Sequence, residues 1–216
     1  MPSLFTKTAH TFSSIFLFCS TIFSQPGGPV SFSETFPFKH IEYFNSENGL
    51  NGNEVSAMAQ DKNGFLRVMT DHALNRYDGY TFRSYSYDPR DSNSISTGWY
   101  FHLTEDKDGL LWLTNFYNGL FSFDTRTEKF TRHGYNHVYT MEIGPDGMIW
   151  VVTPNGLDRF DNKKRLYRNY LNLDSSRTPF DRIIEIVYDK HKSAGNTLWI
   201  INNKGIDGFN TTEGKL

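Results

Sequence analysis

Short apolar runs bounded by polar turns recur along the chain. Leu110–Thr114 (LLWLT), Met148–Thr153 (MIWVVT) and Leu198–Ile201 (LWII) are continuous apolar stretches. They are too short for helices and suit strands covered on both faces. Each follows a segment that mixes apolar with small or polar residues, beginning at Val55, Tyr100, Val138 or Ile183. Each precedes a third segment, which opens on Gly119-Leu120, Gly156-Leu157 or Gly205-Ile206. A more polar stretch comes last, as in Lys129–His133 and Arg165–Tyr170. Asp106-Lys107-Asp108-Gly109 and Gly144-Pro145-Asp146-Gly147 read as hairpin turns whose final glycine supplies a positive φ. The pattern predicts four-stranded antiparallel units.

Spacing turns the pattern into a repeat. From the first apolar residue to the Trp position is 12 residues in three copies: Val55 to Arg67, Tyr100 to Trp112, and Val138 to Trp150. The fourth copy, Ile183 to Trp199, takes 16, through an insertion around His191–Gly195. From the Trp position to the Asp or Asn ending the next strand the gaps are 11, 12, 11 and 11, and copies start 45, 38 and 45 residues apart. That period suits propeller blades rather than the shorter helical solenoids. The fold class expected is therefore all-β, a β-propeller segment of about four blades. Trp112, Trp150 and Trp199, with Gly119, Gly156 and Gly205, are its expected structural anchors.

Gln60–Leu66 (QDKNGFL), Leu74–Phe82 (LNRYDGYTF) and Glu105–Trp112 (EDKDGLLW) resemble the two-component regulator propeller repeat. The resemblance covers the chain from about Phe38 to Leu216 in four spaced copies. It implies the periplasmic sensor of a hybrid two-component regulator, in which such propellers sense breakdown products of complex glycans. It also implies a transmembrane helix, a histidine kinase, a receiver and often a DNA-binding module further on. None of these lies in this sequence, so the chain is expected to be a truncated copy and not itself an enzyme.

Two departures bear on blade number and stability. The first copy has Arg67 where the others have Trp, and Ala73 where they have Gly. A missing core Trp costs about 3 to 5 kcal/mol when it leaves a cavity, so blade one is expected to be weakened or to border solvent. The fourth copy stops as its outer strand begins, while Phe38–Phe44 (FKHIEYF) reads as an outer strand without a blade. That strand either closes a four-bladed ring or leaves an open arc, and an arc needs no unusual curvature. The arc is the favoured expectation, with an apolar face exposed at each end and hence self-association. The expected divisions are 38–54 for the lead-in or closing strand, 55–99 for blade one, 100–137 for blade two, 138–182 for blade three and 183–216 for an incomplete blade four.

The N-terminus changes the compartment. Within residues 1–24 Lys7 is the single charge and precedes the apolar Phe12–Phe23. That order and length suit a secretory signal peptide and not a membrane span. Residues 25–37 follow as a linker. Cleavage would remove Lys7 and Cys19, leaving 21 basic against 24 acidic side chains and no cysteine. Disulfides and thiolate metal sites are thereby excluded. The expected location is periplasmic or secreted. With no basic run, a nucleic-acid partner is not expected, and 38% hydrophobic with 16% aromatic content argues against disorder.

Catalytic and metal motifs are scarce. His133 and His137 stand four apart but flank a loop, and Asp106-x-Asp108 lacks the later acidic ligands of a calcium loop. No nucleophile elbow or phosphate-binding glycine loop occurs. The inner strands would place Ala57, Ala59, His102, Thr104, Thr140, Glu142 and Glu185 near a central channel, a poor acid–base set. No cofactor is expected. The remaining candidate is the ligand face, made of the turns between second and third strands and the links between blades. His72, Trp99, Asn115, Phe116, Tyr117, Asn118, His137 and Asn155 lie there, aromatic rings beside amides and imidazoles that suit an oligosaccharide. Their plain alternative is ordinary polar turns. The expected function is non-catalytic sensing of a glycan fragment, the rivals being a glycan lyase or hydrolase and a protein-interaction scaffold. The expected partners are that oligosaccharide, and a second copy or the remaining blades of a larger propeller.

Overall fold

The computed structural model describes residues 42–135, 137–172, 183–189 and 196–216. The expected signal peptide, the linker and most of the expected closing strand lie outside these residues. So do the link at Asp174–Pro179 and the insertion around His191–Gly195. The chain divides into a unit ending at Phe44 and one running from Asn45 to Leu216. Of the first, Glu42, Tyr43 and Phe44 are described and carry no regular structure.

Among its described residues the second unit is all-β apart from a 3₁₀ turn at Ser46–Asn48. Its first sheet runs β1 (Val55–Gln60), β2 (Leu66–Thr70), β3 (Ala73–Tyr77) and β4 (Phe82–Ser86). The second runs β5 (Tyr100–Glu105), β6 (Leu110–Asn115), β7 (Gly119–Asp124) and β8 (Lys129–Arg132). The third runs β9 (Thr140–Ile143), β10 (Ile149–Thr153), β11 (Gly156–Asp161) and β12 (Leu166–Asn172). The fourth has β13 (Ile183–Tyr188), β14 (Thr197–Asn202) and β15 (Gly205–Asn210). Every neighbouring pair is antiparallel in simple up-and-down order. The inner strands adjoin in series, β1 beside β5, β5 beside β9 and β9 beside β13.

The core lies between the sheets, as a propeller requires, and not within a sandwich. One apolar cluster joins the first sheet to the second through Met69, Leu74, Leu103 and Phe123. A second joins the second to the third through Trp112, Leu120, Met141 and Phe160. A third joins the third to the fourth through Trp150, Leu157, Ile186 and Phe209. Four sheets are thus linked by three junctions among the described residues.

One motif builds each junction. In β6 the fully buried Trp112 points to the next sheet, where its ring meets Phe160 edge-on at 6.0 Å. Trp150 meets Phe209 in the same way at 5.5 Å. Phe123, Phe160 and Phe209 occupy one register position, opposite Leu111, Ile149 and Leu198. The indole N–H of Trp112 donates to Asp106 Oδ2 at 2.7 Å, and that of Trp199 to Asp189 Oδ2 at 3.3 Å. Trp199 itself is half-buried. Gly119, Gly156 and Gly205 open the third strands with positive φ.

Arg67 is neither exposed nor a gap. It is 2% accessible, sits at the Trp position facing the second sheet, and its guanidinium lies 5.9 Å from the Phe123 ring centroid. Its Nε donates to Asp61 Oδ2 at 2.8 Å and its Nη2 lies 2.7 Å from the same oxygen. Asp61 stands where Asp106 stands in the second sheet, so the acceptor built for an indole holds a guanidinium instead. The expectation that blade one borders solvent at Arg67 is therefore corrected: a buried ion pair fills the space. Ala73 at the start of β3 is likewise buried.

Candidate ligand-binding face

Register sets the geometry of this face. Thr70, Asn115 and Thr153 end the second strands, and Tyr100 and Ser86 pair with the residues beside those turns. The turns between second and third strands therefore share one end of the sheets with the links between blades.

At the second sheet this end is tightly organised. Asn115 is fully buried, and its Oδ1 accepts from the backbone N–H groups of Tyr117 and Asn118, both at 2.9 Å. Asn118 Nδ2 donates to the Thr97 carbonyl at 2.8 Å, and the Phe116 N–H donates to the Trp99 carbonyl at 3.0 Å. The link between blades is thereby pinned onto the turn. Gly98 permits that contact, since a Cβ there would come within 2.9 Å of the Asn115 amide. Asn115 thus offers no group to a ligand; it holds the turn that carries the rings.

Those rings form a cluster. Phe116 lies 5.0 Å from Tyr117, 5.6 Å from His137, 5.7 Å from Tyr139 and 6.2 Å from Phe101, centroid to centroid. His137 Nδ1 donates to the Phe116 carbonyl at 2.7 Å, which leaves Nε2 as an acceptor in the neutral ring. Trp99 is 64% exposed, Tyr117 59% and Phe101 42%. The cluster presents aromatic surface with an acceptor nitrogen beside it.

Two of its members, Phe101 and Tyr139, were not expected. Phe101 is the extra residue of a β-bulge between Tyr100 and His102, and like bulges fall at Ser56 and Ile184. A bulge re-aims a side chain that alternation would have placed elsewhere. The sequence signal is positional: Phe101 and Tyr139 are the second residue of their copies.

The other expected residues lie apart from the rings. His72 is exposed, with Nε2 at 3.4 Å from Asp71 Oδ2. The pair borders a cavity of about 290 Å³ that Asn51, Ser96 and Tyr100 also line. The Tyr100 hydroxyl donates to the Ser96 carbonyl at 2.9 Å, and burial raises its pKa. Asn155 is exposed in the turn between β10 and β11, where its N–H donates to Thr153 Oγ1 at 3.2 Å.

No acid–base pair emerges on the inner strands from His102. Its Nδ1 lies 3.1 Å from Thr114 Oγ1 and its Nε2 3.2 Å from Thr140 Oγ1, and burial pushes its pKa down to about 4. It bridges two blades as a neutral ring. His133 is buried against Trp112 and bonds Ser122 Oγ at 2.8 Å, again depressed to about 4 by burial and then by Arg165. Among the described residues no group of three His, Cys, Asp or Glu side chains could hold a metal ion, and no helix is long and apolar enough to cross a membrane.

No protein-family model matches the chain. A curated relative, histidine kinase P4 of Formosa agariphila, is 42% identical over 64 residues, which make up 30% of this chain and 4% of that protein. The extracellular domain assigned to a hybrid two component system of B. thetaiotaomicron superposes with a TM-score of 0.67 at 21% identity. The match covers 81% of this chain and 25% of that one. A protein assigned as a gluconolactonase superposes with a TM-score of 0.52 at 15% identity, over 73% of this chain and 60% of its own. The chain spans only a small part of the kinase and the sensor domain. Fold and site together define an all-β, propeller-type repeat protein. One stretch of it is similar to a histidine kinase, and the superposition on the sensor domain shows that the chain shares that domain's fold.

Proposed function

We propose that this chain is a non-catalytic, ligand-sensing propeller segment of a two-component regulator, periplasmic or secreted, which binds a glycan fragment on its aromatic face. The carrying observation is the ring cluster of Phe101, Phe116, Tyr117, His137 and Tyr139, in which Phe101 and Tyr117 are substantially exposed, with the exposed Trp99 tied to it by the Phe116 N–H to Trp99 carbonyl hydrogen bond. Exposed rings cover the apolar faces of sugars, while His137 Nε2 and the Asn118 amide supply hydrogen-bonding groups for hydroxyls. The repeat resemblance, the kinase relative and the sensor-domain fold support the signalling context. Signal transfer would then run through segments other than those described.

The test is quenching of indole fluorescence by a panel of short neutral and uronic-acid oligosaccharides. At least one should bind, and Trp99→Ala or Tyr117→Ala should weaken it by about tenfold, the loss of one stacking contact. Binding that survives both substitutions, or no binding across the panel, overturns the reading. A second reading, a glycan-active enzyme, is favoured by the Asp71–His72 pair beside its cavity. New reducing ends or unsaturated products from the same panel, abolished by His72→Ala, would establish it instead.

A further inference from the structure

Three internal junctions repeat the same pairing of positions. The second residue of the third strand, Leu74, Leu120 or Leu157, is fully buried against the following sheet. The back-facing residue of the next inner strand, Leu103, Met141 or Ile186, is buried against the preceding one. At the two ends of the array the equivalent positions are Ile206, 68% exposed, and Met58, 54% exposed. The turns repeat this contrast. A Cβ on Gly109 would meet Lys62 Nζ at 2.0 Å, and one on Gly147 would meet Lys107 at 3.4 Å, so each turn glycine seats a lysine from the preceding sheet. The corresponding Gly64 has no described atom within 4 Å of its Cβ position.

We propose that copies of this chain associate head to tail, the back face of the first sheet in one copy seating on the forward face of the fourth sheet in the next. The two faces are the two halves of a junction that the chain already builds three times. Met58 supplies the back-facing apolar residue and Ile206 the forward-facing one. A protein of another kind would have to reproduce that spacing, whereas a second copy carries it. The contact is heterologous, so it forms a closed ring where the curvature allows. Two such four-sheet arcs would make eight blades, within the usual propeller range.

Sedimentation equilibrium of the full chain over a concentration series tests this directly. The wild-type protein should associate, and Met58→Lys and Ile206→Glu should each weaken association at least about tenfold while leaving circular dichroism and the melting temperature nearly unchanged. Mixing the M58K and I206E proteins should restore pairing between them, because the opposite charges meet across one junction. A wild-type monomer at all concentrations overturns the proposal, as does association that neither substitution alters. Radical footprinting identifies the alternative occupant: a monomer in which Met58 is shielded would assign that face to the residues before Glu42, and this also overturns the contact between copies.

Discussion

Asp106 uses its two carboxylate oxygens for different purposes. Oδ1 accepts from the backbone N–H groups of Asp108 and Leu110 at 2.9 and 3.0 Å, closing the turn, while Oδ2 takes the indole N–H of Trp112. Asp61 repeats the arrangement, accepting from Asn63 and Phe65 at 2.9 and 3.0 Å and from Arg67. Gly144 occupies that position in the third copy. The notch it leaves is occupied by Asp146 Oδ1 and the Tyr188 hydroxyl, 2.7 and 3.0 Å from where a Cβ would stand, and the buried Trp150 N–H makes no hydrogen bond of ordinary geometry. These differences make Arg67 an informative site. Breaking a buried ion pair strands a charge, so Arg67→Ala should cost about 3 to 5 kcal/mol. Replacing the pair by a packed ring is neutral or stabilising in comparable cases, and Asp61 is already placed to accept an indole N–H. Arg67→Trp should therefore leave the melting temperature unchanged or raise it. Chemical denaturation of both variants checks the ordering, and a tryptophan variant less stable than the alanine one would contradict it. The sequence identified Arg67 as a departure but not its burial, because its partner Asp61 reads as a turn residue until the turn and the strand are seen together.

At the scale of the strand and its junction, polar side chains sit where inner strands adjoin. His102 on β5 reaches Thr140 on β9, and its neighbour Thr114 on β6 completes the chain of hydroxyls. His102 and Thr140, expected near a central channel, thus meet between adjoining sheets, and Ala57 and Ala59 pack on the first junction. Neutral histidine in that position has a thermodynamic signature. Its folded pKa of about 4 lies below the ordinary value of 6.5, so the unfolded chain binds the proton more readily between those values. Stability is complete above about pH 6.5 and falls as the pH is lowered through that window, by on the order of 3 kcal/mol for this group. His102→Asn should flatten the fall in melting temperature between pH 7 and 4, although His133 and the carboxylates preserve part of it. Parallel pH profiles for variant and wild type would remove His102 from the account. The strand pattern itself was legible because the Trp runs are continuous and the turns end in glycine. The bulges at Ser56, Phe101 and Ile184 were not, since nothing in a six-residue strand marks which residue lacks a partner.

Across the molecule, stability is built by nearest neighbours. Each sheet is thin and buries its faces only against the sheets beside it, so the second and third have two junctions each, whereas the fourth has one among the described residues. In repeat arrays of this kind the free energy is approximately a sum of unit and interface contributions, and the ends open first. The fourth sheet shows this in its exposures. Trp112 and Trp150 are fully buried while Trp199 is half-buried, and β15 is exposed along most of its length. The repeat spacing carried enough information to give the fold class, because a period of about forty residues with one apolar strand per copy admits few architectures. It could not say which faces are exposed, since Ile206 and Leu120 read alike as the apolar residue after a glycine and differ in whether a further sheet packs on them among the described residues. Hydrogen exchange separates them. Amides of β6 and β10, central in sheets with two neighbours, should exchange slowest, and those of β15 fastest among the third strands. The ratio should shrink as protein concentration rises if copies cover that face. Equal protection of β7, β11 and β15 in dilute protein would mean that the fourth sheet is held as firmly as the inner ones, and the additive account of the array would fail.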